Sequence, residues 1–172
     1  MTSFERKLFP AALLITLLAM AGCQALSSGD NFRCPTTADN VTFQSYGGFS
    51  MVNSGDDSTA RKIISNCNWH VFDNHNGGIG ETLEVASPNE EVVLVWAFNS
   101  FSGFRLTPKW SGKTDKGAKL GDPAATFHNL YPDFTVVSPQ LSTFNSNGTD
   151  IEAHFDQAGN LAELLVGNFF RN

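Results

Sequence analysis

The chain has 172 residues, enough for one domain of ordinary size once a signal peptide is set aside. Charged residues make up 16% of it and apolar residues 41%, and phenylalanine alone occupies 15 positions. A chain this poor in charge and this rich in phenylalanine can bury a core, which excludes global disorder. The formal net charge of −6 argues against nucleic acid as the main partner.

Residues 1–22 have the layout of a signal peptide. A basic pair at residues 6–7 precedes an apolar run over residues 8–21. The run is too short to span a hydrocarbon core of about 30 Å comfortably and is typical of a secretory signal. It ends in Met20-Ala21-Gly22-Cys23, which resembles the lipobox of bacterial lipoproteins. The resemblance implies that Cys23 is lipidated and that cleavage occurs just before it. An ordinary cleaved signal with a chance cysteine is the alternative.

The same resemblance implies where the protein is sorted. Gln24 follows the cysteine, where an aspartate would favour retention in the inner membrane, so we expect a lipid anchor in the outer membrane. Residues 23–33 then form a lipidated tether. Its ten residues after Cys23 reach at most about 36 Å, which keeps the domain near the bilayer. Residues 34–172 are expected to form one domain that faces the periplasm.

Three cysteines are an odd number for an exported protein. If Cys23 carries lipid, Cys34 and Cys67 remain and are predicted to form a disulfide in an oxidising compartment. Two buried free thiols or a metal-binding pair are the alternatives, although no third cysteine or nearby histidine stands at ligand spacing.

Hydrophobic periodicity predicts a single α+β domain, with an antiparallel sheet and two short helices. The first helix covers residues 58–67 and has Cys67 on its apolar face, and the second begins with Asp122 as cap and ends near Tyr131. The segment 91–98 is apolar on both faces, as in a covered central strand. Residues 73–78 and 99–103 are predicted as a loop and a turn. The other predicted strands cover residues 41–46, 69–72, 82–86, 104–107, 151–155 and 161–166.

The stretch from residue 116 to residue 161 has a characteristic order of turn, helix and hairpin. Lys116-Gly-Ala-Lys-Leu-Gly-Asp-Pro123, a helix, and a hairpin containing Phe155-Asp-Gln-Ala-Gly-Asn-Leu161 follow one another. This order resembles a unit of BamE/SmpA-like and other envelope lipoproteins, in which a G-x-x-x-G-D/S turn opens a helix and a hairpin of the type φ-x-F-D-x-x-G-x-φ follows. The resemblance implies a shared local fold over residues 116–161 and transfers no catalytic residue.

Residues that could carry chemistry are few. His70, Asp73 and His75 are candidates for a divalent metal, with surface loop residues as the alternative interpretation. His154, between Glu152 and Asp156, is predicted to be solvated. The sequence lacks a G-x-S-x-G elbow and a phosphate-binding glycine loop, so we expect no catalytic residues and no cofactor.

Basic residues concentrate in one segment. Five of them lie within 15 positions, interrupted by a single acid, Asp115, and with Trp110 among them: Arg105, Lys109, Lys113, Lys116 and Lys119. A solvated loop is one interpretation. The other is a contact surface for an anionic partner, such as lipid headgroups, peptidoglycan or an acidic envelope protein, with Trp110 as an added surface contact.

The sequence therefore predicts an outer-membrane lipoprotein whose domain acts as a binding or scaffold module in the cell envelope. A small-ligand or lipid carrier with a phenylalanine-lined cavity is one alternative, and a hydrolase with an unrecognised site is another. A large apolar cavity would favour the carrier, and strongly perturbed titrating groups in a cleft would favour the hydrolase.

The anchor gives the first testable prediction. We expect the Cys23→Ser variant to take up no labelled palmitate and to leave the outer-membrane fraction, because acyl chains supply the membrane affinity. Cys34→Ser is the matched control and should keep the label. Palmitate labelling of Cys23→Ser would contradict the lipoprotein interpretation.

Overall fold

The computed structural model describes residues 34–35, 41–46, 49–50, 55–77 and 80–168. The predicted signal peptide, Cys23 and the tether lie outside these residues. The chain divides into two units, Met1–Phe32 and Arg33–Asn172, and only the second contains described residues. Among the described residues, no helix has both the length and the apolar character needed to cross a membrane.

Strands dominate the described domain. Its elements in chain order are β1 (Val41–Thr42), β2 (Ser45–Tyr46), β3 (Phe49–Ser50), α1 (Asp57–Cys67), β4 (His70–Gly77), β5 (Gly80–Ala86), β6 (Val92–Ala97), β7 (Ser100–Leu106), α2 (Ala124–Leu130), β8 (Thr135–Ser138), β9 (Leu141–Ser146), β10 (Thr149–Phe155) and β11 (Leu161–Gly167). One sheet contains β1, β2 and β3, and a second contains eight strands in the order β4-β5-β6-β7-β11-β10-β9-β8.

The predicted antiparallel sheet, two helices and disulfide are confirmed, but the α+β label understates the share of strand. All strand pairs of the large sheet are antiparallel, whereas the two helices have only 11 and 7 residues. Neighbours in the sheet are consecutive in sequence everywhere except between β7 and β11. That one long-range pairing joins the two halves of the sheet.

The core is built around β6, all of whose residues are buried, as predicted for a covered central strand. On one face Val93 and Val95 cluster with Ala86 of β5. On the other face Leu94 lies opposite Phe104 of β7, and the ring of Tyr46 packs 5.7 Å from that of Phe104. The side chains of β6 therefore contribute to packing on both faces of the sheet.

Helix α1 forms where the sequence predicts it. The Asp56 carboxylate caps it by accepting the Ser58 backbone N–H at 3.0 Å. Ala60 and Ile63 are buried, and the helix packs against β5. Cys67, its last residue, forms the predicted disulfide with Cys34, with the two Cα atoms 5.4 Å apart.

The single strand predicted over 41–46 is wrong, because the segment folds as a tight hairpin. Thr42 pairs with Ser45, which leaves Phe43 and Gln44 to form the turn. The hydroxyl of Thr42 accepts the backbone N–H of Ser45 at 3.0 Å. Local side-chain hydrogen bonds of this kind compete with extended strands, so Thr42 explains the turn.

The loop predicted over 73–78 is also wrong, because β4 continues through Asp73 to Gly77. Its residues pair with β5 from His70 opposite Ala86 to Gly77 opposite Gly80. Cross-strand pairing thus overrides the low strand propensity of the Asp/Asn/Gly-rich sequence.

The turn predicted over 99–103 is shorter in the structure. Phe98 and Asn99 alone connect β6 to β7, with φ angles of 52° and 60°. Positive φ at both central residues is the type I′ pattern, which matches the twist of a hairpin. β8 and β9 were not predicted. β8 is a short edge strand over Thr135–Ser138 with no clean alternation.

Helix α2 forms as predicted, but Asp122 does not cap it. The Asp122 carboxylate accepts the backbone N–H of Lys119 at 2.8 Å, and Pro123 stands at the helix start without a capping hydrogen bond. Asp122 therefore stabilises the preceding turn. The C-terminal hairpin of β10 and β11 forms as predicted, with Gly159 at φ 80° in its turn.

The disulfide gives the second testable prediction. We expect thiol titration of the denatured, unreduced protein to find both Cys34 and Cys67 blocked. Replacing both by serine should lower the free energy of unfolding in urea by about 3–4 kcal/mol, because the bond closes a loop across 33 positions. Two titratable thiols before reduction would show that the pair is not formed.

Candidate functional site

The candidate metal ligands do not assemble into a site among the side chains that the structure describes. His70 is exposed on β4, and its Nε2 lies 3.9 Å from Oε1 of Glu90. The Asp73 carboxylate accepts the backbone N–H of Asn74 at 2.7 Å. The side chain of His75 lies outside the described ones. No group of three potential ligands occurs within the described residues.

The basic segment is divided by the fold, and its first two cations have acidic partners. Arg105, on β7, lies between Glu84 and Glu163 at 3.6 and 3.8 Å, with its guanidinium 5.2 Å from the centre of the Phe72 ring. Lys109 donates to Glu90 at 2.8 Å, and this hydrogen bond lowers the pKa of the Glu90 carboxyl.

Trp110 also departs from expectation. Its side chain is only 3% exposed, and Gly112 lies close against the indole ring. The interpretation of Trp110 as a surface contact is therefore wrong, because its ring belongs to the core. Lys113, Lys116 and Lys119 stay exposed on the loop between β7 and α2.

Hydrogen bonds within that loop fix its shape around Thr114. The Thr114 backbone N–H donates to the carbonyl of Ala118 at 2.9 Å, and its hydroxyl accepts the Ala118 N–H at 3.0 Å. Gly117 turns the chain with φ 94°, a conformation that favours glycine. The Asp115 N–H donates to the carbonyl of Val41 at 2.8 Å, which attaches the loop to the β1–β2 hairpin.

The phenol of Tyr131 links this loop to the end of α2. Its oxygen lies 2.6 Å from the Thr114 hydroxyl and 2.8 Å from Oδ1 of Asp115. A carboxylate can only accept, so Tyr131 donates to Asp115 and accepts from Thr114. Burial, and then the Asp115 carboxylate, raise the pKa of Tyr131 to about 12, against an opposing contribution from Thr114.

Aromatic rings from four parts of the chain pack together beside this phenol. Phe127 lies on α2, with its ring centre 5.1 Å from Tyr131 and 5.0 Å from Phe134. Phe43, from the turn of the β1–β2 hairpin, lies 4.5 Å from Tyr131. Phe144, from β9, lies 5.4 Å from Phe134. Offset and edge-to-face pairs at these distances stabilise a cluster beyond its area burial.

The cluster opens to solvent as a cleft of about 290 Å³, which we call the aromatic cleft. Tyr131 and Phe134 are almost fully buried at its base, whereas Phe43 and Phe144 are half-buried. Polar and charged side chains complete the lining: Thr42, Gln44, Asp115, Lys116, Asp133 and Ser146. The Lys116 ammonium lies 4.8 Å from the centre of the Tyr131 ring, which is a cation–π contact.

A second cleft of about 390 Å³ adjoins the first and shares Asp133 and Phe144 with it. Its other residues are mostly polar: Thr135, Thr143, Asn145, Asp150, Ile151 and Glu152. The Asp150 carboxylate accepts from the Asn145 amide at 2.7 Å, and His154 lies 2.9 Å from Glu152. These carboxylates already have local partners.

A phenylalanine-lined cavity was one of the alternatives that the sequence left open, but neither the residues nor the position of the aromatic cleft was predicted. The helical pattern places Phe127 and Tyr131 on one face of α2, but Phe43 and Phe144 reach the site from strands far away in sequence. The abundance of phenylalanine is the one available signal, and it specifies no position. Of the predicted contact residues, only Lys116 lines this cleft.

Comparisons of the chain with protein-family models, with curated proteins and with solved structures gave no match.

Tyr131 gives the third testable prediction. Its raised pKa means that the folded state holds the phenol proton more tightly than the unfolded state. The resulting stability is complete below pH 10 and is lost between about pH 10 and 12. Over this interval, we expect the free energy of unfolding to fall by about 2–3 kcal/mol more in the wild type than in Tyr131→Phe.

Ultraviolet absorbance of tyrosinate checks the assignment directly. Tyr46 is the other tyrosine of the chain and is present in both the wild type and the variant. The difference between their titration curves therefore isolates Tyr131. A difference curve centred near pH 10 would contradict the hydrogen-bonded, buried phenol.

Proposed function

We propose that this protein is an outer-membrane lipoprotein, anchored through Cys23, whose periplasm-facing domain is a binding module. The lipobox at residues 20–23 and the position of Gln24 support the anchor and its membrane. The Cys34–Cys67 disulfide is compatible with an oxidising compartment such as the periplasm. The partner belongs to the envelope: a protein, peptidoglycan or lipid.

The observation that carries the binding role is the aromatic cleft. It combines an apolar base with a few convergent polar groups, which is the usual composition of a small-ligand site. Its volume of about 290 Å³ accommodates a headgroup, a sugar ring or one side chain. Since hydrogen bonds hold the loop around Thr114, the cleft is formed before any ligand arrives.

The carrier alternative draws support from the same rings, because the cleft is lined by phenylalanine. Its size favours a small polar group over an acyl chain, which would need a longer apolar cavity. The hydrolase alternative gains less support, because the pKa of Tyr131 is raised. A phenol that ionises only near pH 12 is a poor nucleophile or general base at neutral pH.

The exposed lysines of the basic segment supply a contact for an anionic group of the partner. Lys113 and Lys119 flank Lys116 on the loop between β7 and α2, and each lysine near an anionic surface contributes up to about 1 kcal/mol. This part of the proposal rests on three lysines, because Arg105 and Lys109 have acidic partners on the protein itself.

Site-specific photocrosslinking in intact envelopes tests the binding role. Gln44 lies exposed at the aromatic cleft, and Gln157 lies exposed in the turn between β10 and β11. A photoreactive phenylalanine at position 44 should give a discrete adduct with an envelope component. The same residue at position 157 is the matched control and should give none.

Equal crosslinking at both positions, or no adduct at position 44, would contradict a binding site in the cleft. Mass spectrometry of the adduct distinguishes protein, peptidoglycan and lipid.

A further inference from the structure

Charges of both signs meet at the mouth of the aromatic cleft. Lys116 supplies an exposed ammonium, and Asp115 and Asp133 supply exposed carboxylates. In an acidic protein with few charged residues, three charged side chains around one opening of about 290 Å³ are a dense arrangement. A ligand with a single charge would be attracted by one sign and repelled by the other.

The positions of these groups are held by neighbouring contacts. The Tyr131 ring lies beneath the Lys116 ammonium at 4.8 Å, and the Tyr131 hydroxyl donates to one oxygen of Asp115. The backbone of Asp115 is attached to Val41 by a further hydrogen bond. Lys116 and Asp115 therefore keep opposite charges next to each other while both stay accessible to solvent.

We propose that the aromatic cleft recognises a zwitterion, the phosphoethanolamine headgroup of a phospholipid. Its phosphate is attracted to Lys116, with Lys113 and Lys119 on the same loop. Its ammonium is attracted to Asp115 and Asp133 and to the faces of the aromatic rings. This inference rests on the proposed function and specifies the ligand of the same cleft.

A lipid headgroup is favoured over other zwitterions because the proposed anchor holds the domain near a membrane. The ten residues between Cys23 and the domain span at most about 36 Å, so the proposed anchor keeps the domain near the bilayer surface. Headgroups are then present at a high effective concentration, so that a weak site of this size is occupied. Free amino acids lack this advantage.

The test uses the full-length lipoprotein in maltoside micelles, whose headgroups are uncharged. Dissociation constants are measured by NMR titration for three probes: glycerophosphoethanolamine, ethanolamine and glycerol phosphate. We expect glycerophosphoethanolamine to bind several-fold more tightly than either fragment, because only it satisfies both signs of charge.

Two substitutions separate the two halves of the headgroup. Lys116→Gln should weaken the binding of glycerophosphoethanolamine and of glycerol phosphate about three-fold. The binding of ethanolamine should stay unchanged or become slightly tighter. Asp133→Asn should weaken the binding of glycerophosphoethanolamine and of ethanolamine by a similar factor. Both side chains are exposed, so both variants are expected to fold.

Lys62→Gln is the matched control, because it makes the same change in net charge on α1, outside the lining of the cleft. The inference is overturned if glycerophosphoethanolamine binds no more tightly than ethanolamine or glycerol phosphate. It is also overturned if Lys62→Gln weakens the binding of glycerophosphoethanolamine as much as Lys116→Gln does. Tighter binding of diaminopimelic acid than of glycerophosphoethanolamine would assign the cleft to a peptide zwitterion and overturn the lipid assignment.

The crosslinking at position 44 separates this inference from the proposed function. An adduct at that position together with failure of the headgroup titration would retain the binding site and reject the ligand. Loss of both would reject the site itself.

Discussion

The hydrogen bonds of the Tyr131 phenol connect the end of α2 to the loop that borders the aromatic cleft. The phenol accepts from Thr114 and donates to Asp115, and the Asp115 backbone in turn holds the carbonyl of Val41. One side chain thus joins the end of α2, the β7–α2 loop and the β1–β2 hairpin. Because the phenol is buried, leaving its hydroxyl without these partners would cost the desolvation of a polar group. The cleft follows from this arrangement, since Phe43, Tyr131 and Lys116 owe their positions to it.

The large sheet decides which charges are available for recognition. Arg105 stands on β7 between β6 and β11, and its guanidinium contacts Glu163 of the neighbouring β11 and Glu84 of β5, one strand beyond β6. Lys109 follows the same strand and reaches Glu90 in the turn before β6. These cations stabilise the sheet surface. The loop that follows carries its lysines away from the sheet and exposes them, and there Lys116 meets the aromatic rings. The division of one basic segment into a structural part and an exposed part is a consequence of where β7 ends.

The proposed binding role brings the proposed anchor and the aromatic cleft into one scheme. In this proposal, the lipid anchor at Cys23 holds the chain at a membrane and the short tether keeps the domain close to it. The cleft offers aromatic faces and both signs of charge to a small group. Each part has its own physical basis: acyl chains for affinity to the bilayer, chain length for proximity, and preformed polar groups for selectivity. The proposed headgroup ligand is a small group that fits this scheme.

The sequence by itself predicted those features whose cause is local or compositional. The α1 helix follows from the apolar spacing of Ala60, Ile63 and Cys67, β6 from its uninterrupted apolar run, and the disulfide from an odd cysteine count. Where side chains or distant strands compete with local preference, prediction failed: Thr42 draws its segment into a hairpin, and pairing with β5 extends β4 through Asp73 to Gly77. The aromatic cleft was decided by tertiary structure alone. Phe43 and Phe144 are 101 positions apart, and their approach depends on hydrogen bonds and ring packing between elements that no local pattern relates. Tertiary structure also decided which basic residues are paired and which are exposed, because this depends on the carboxylates that the folded sheet places beside each cation.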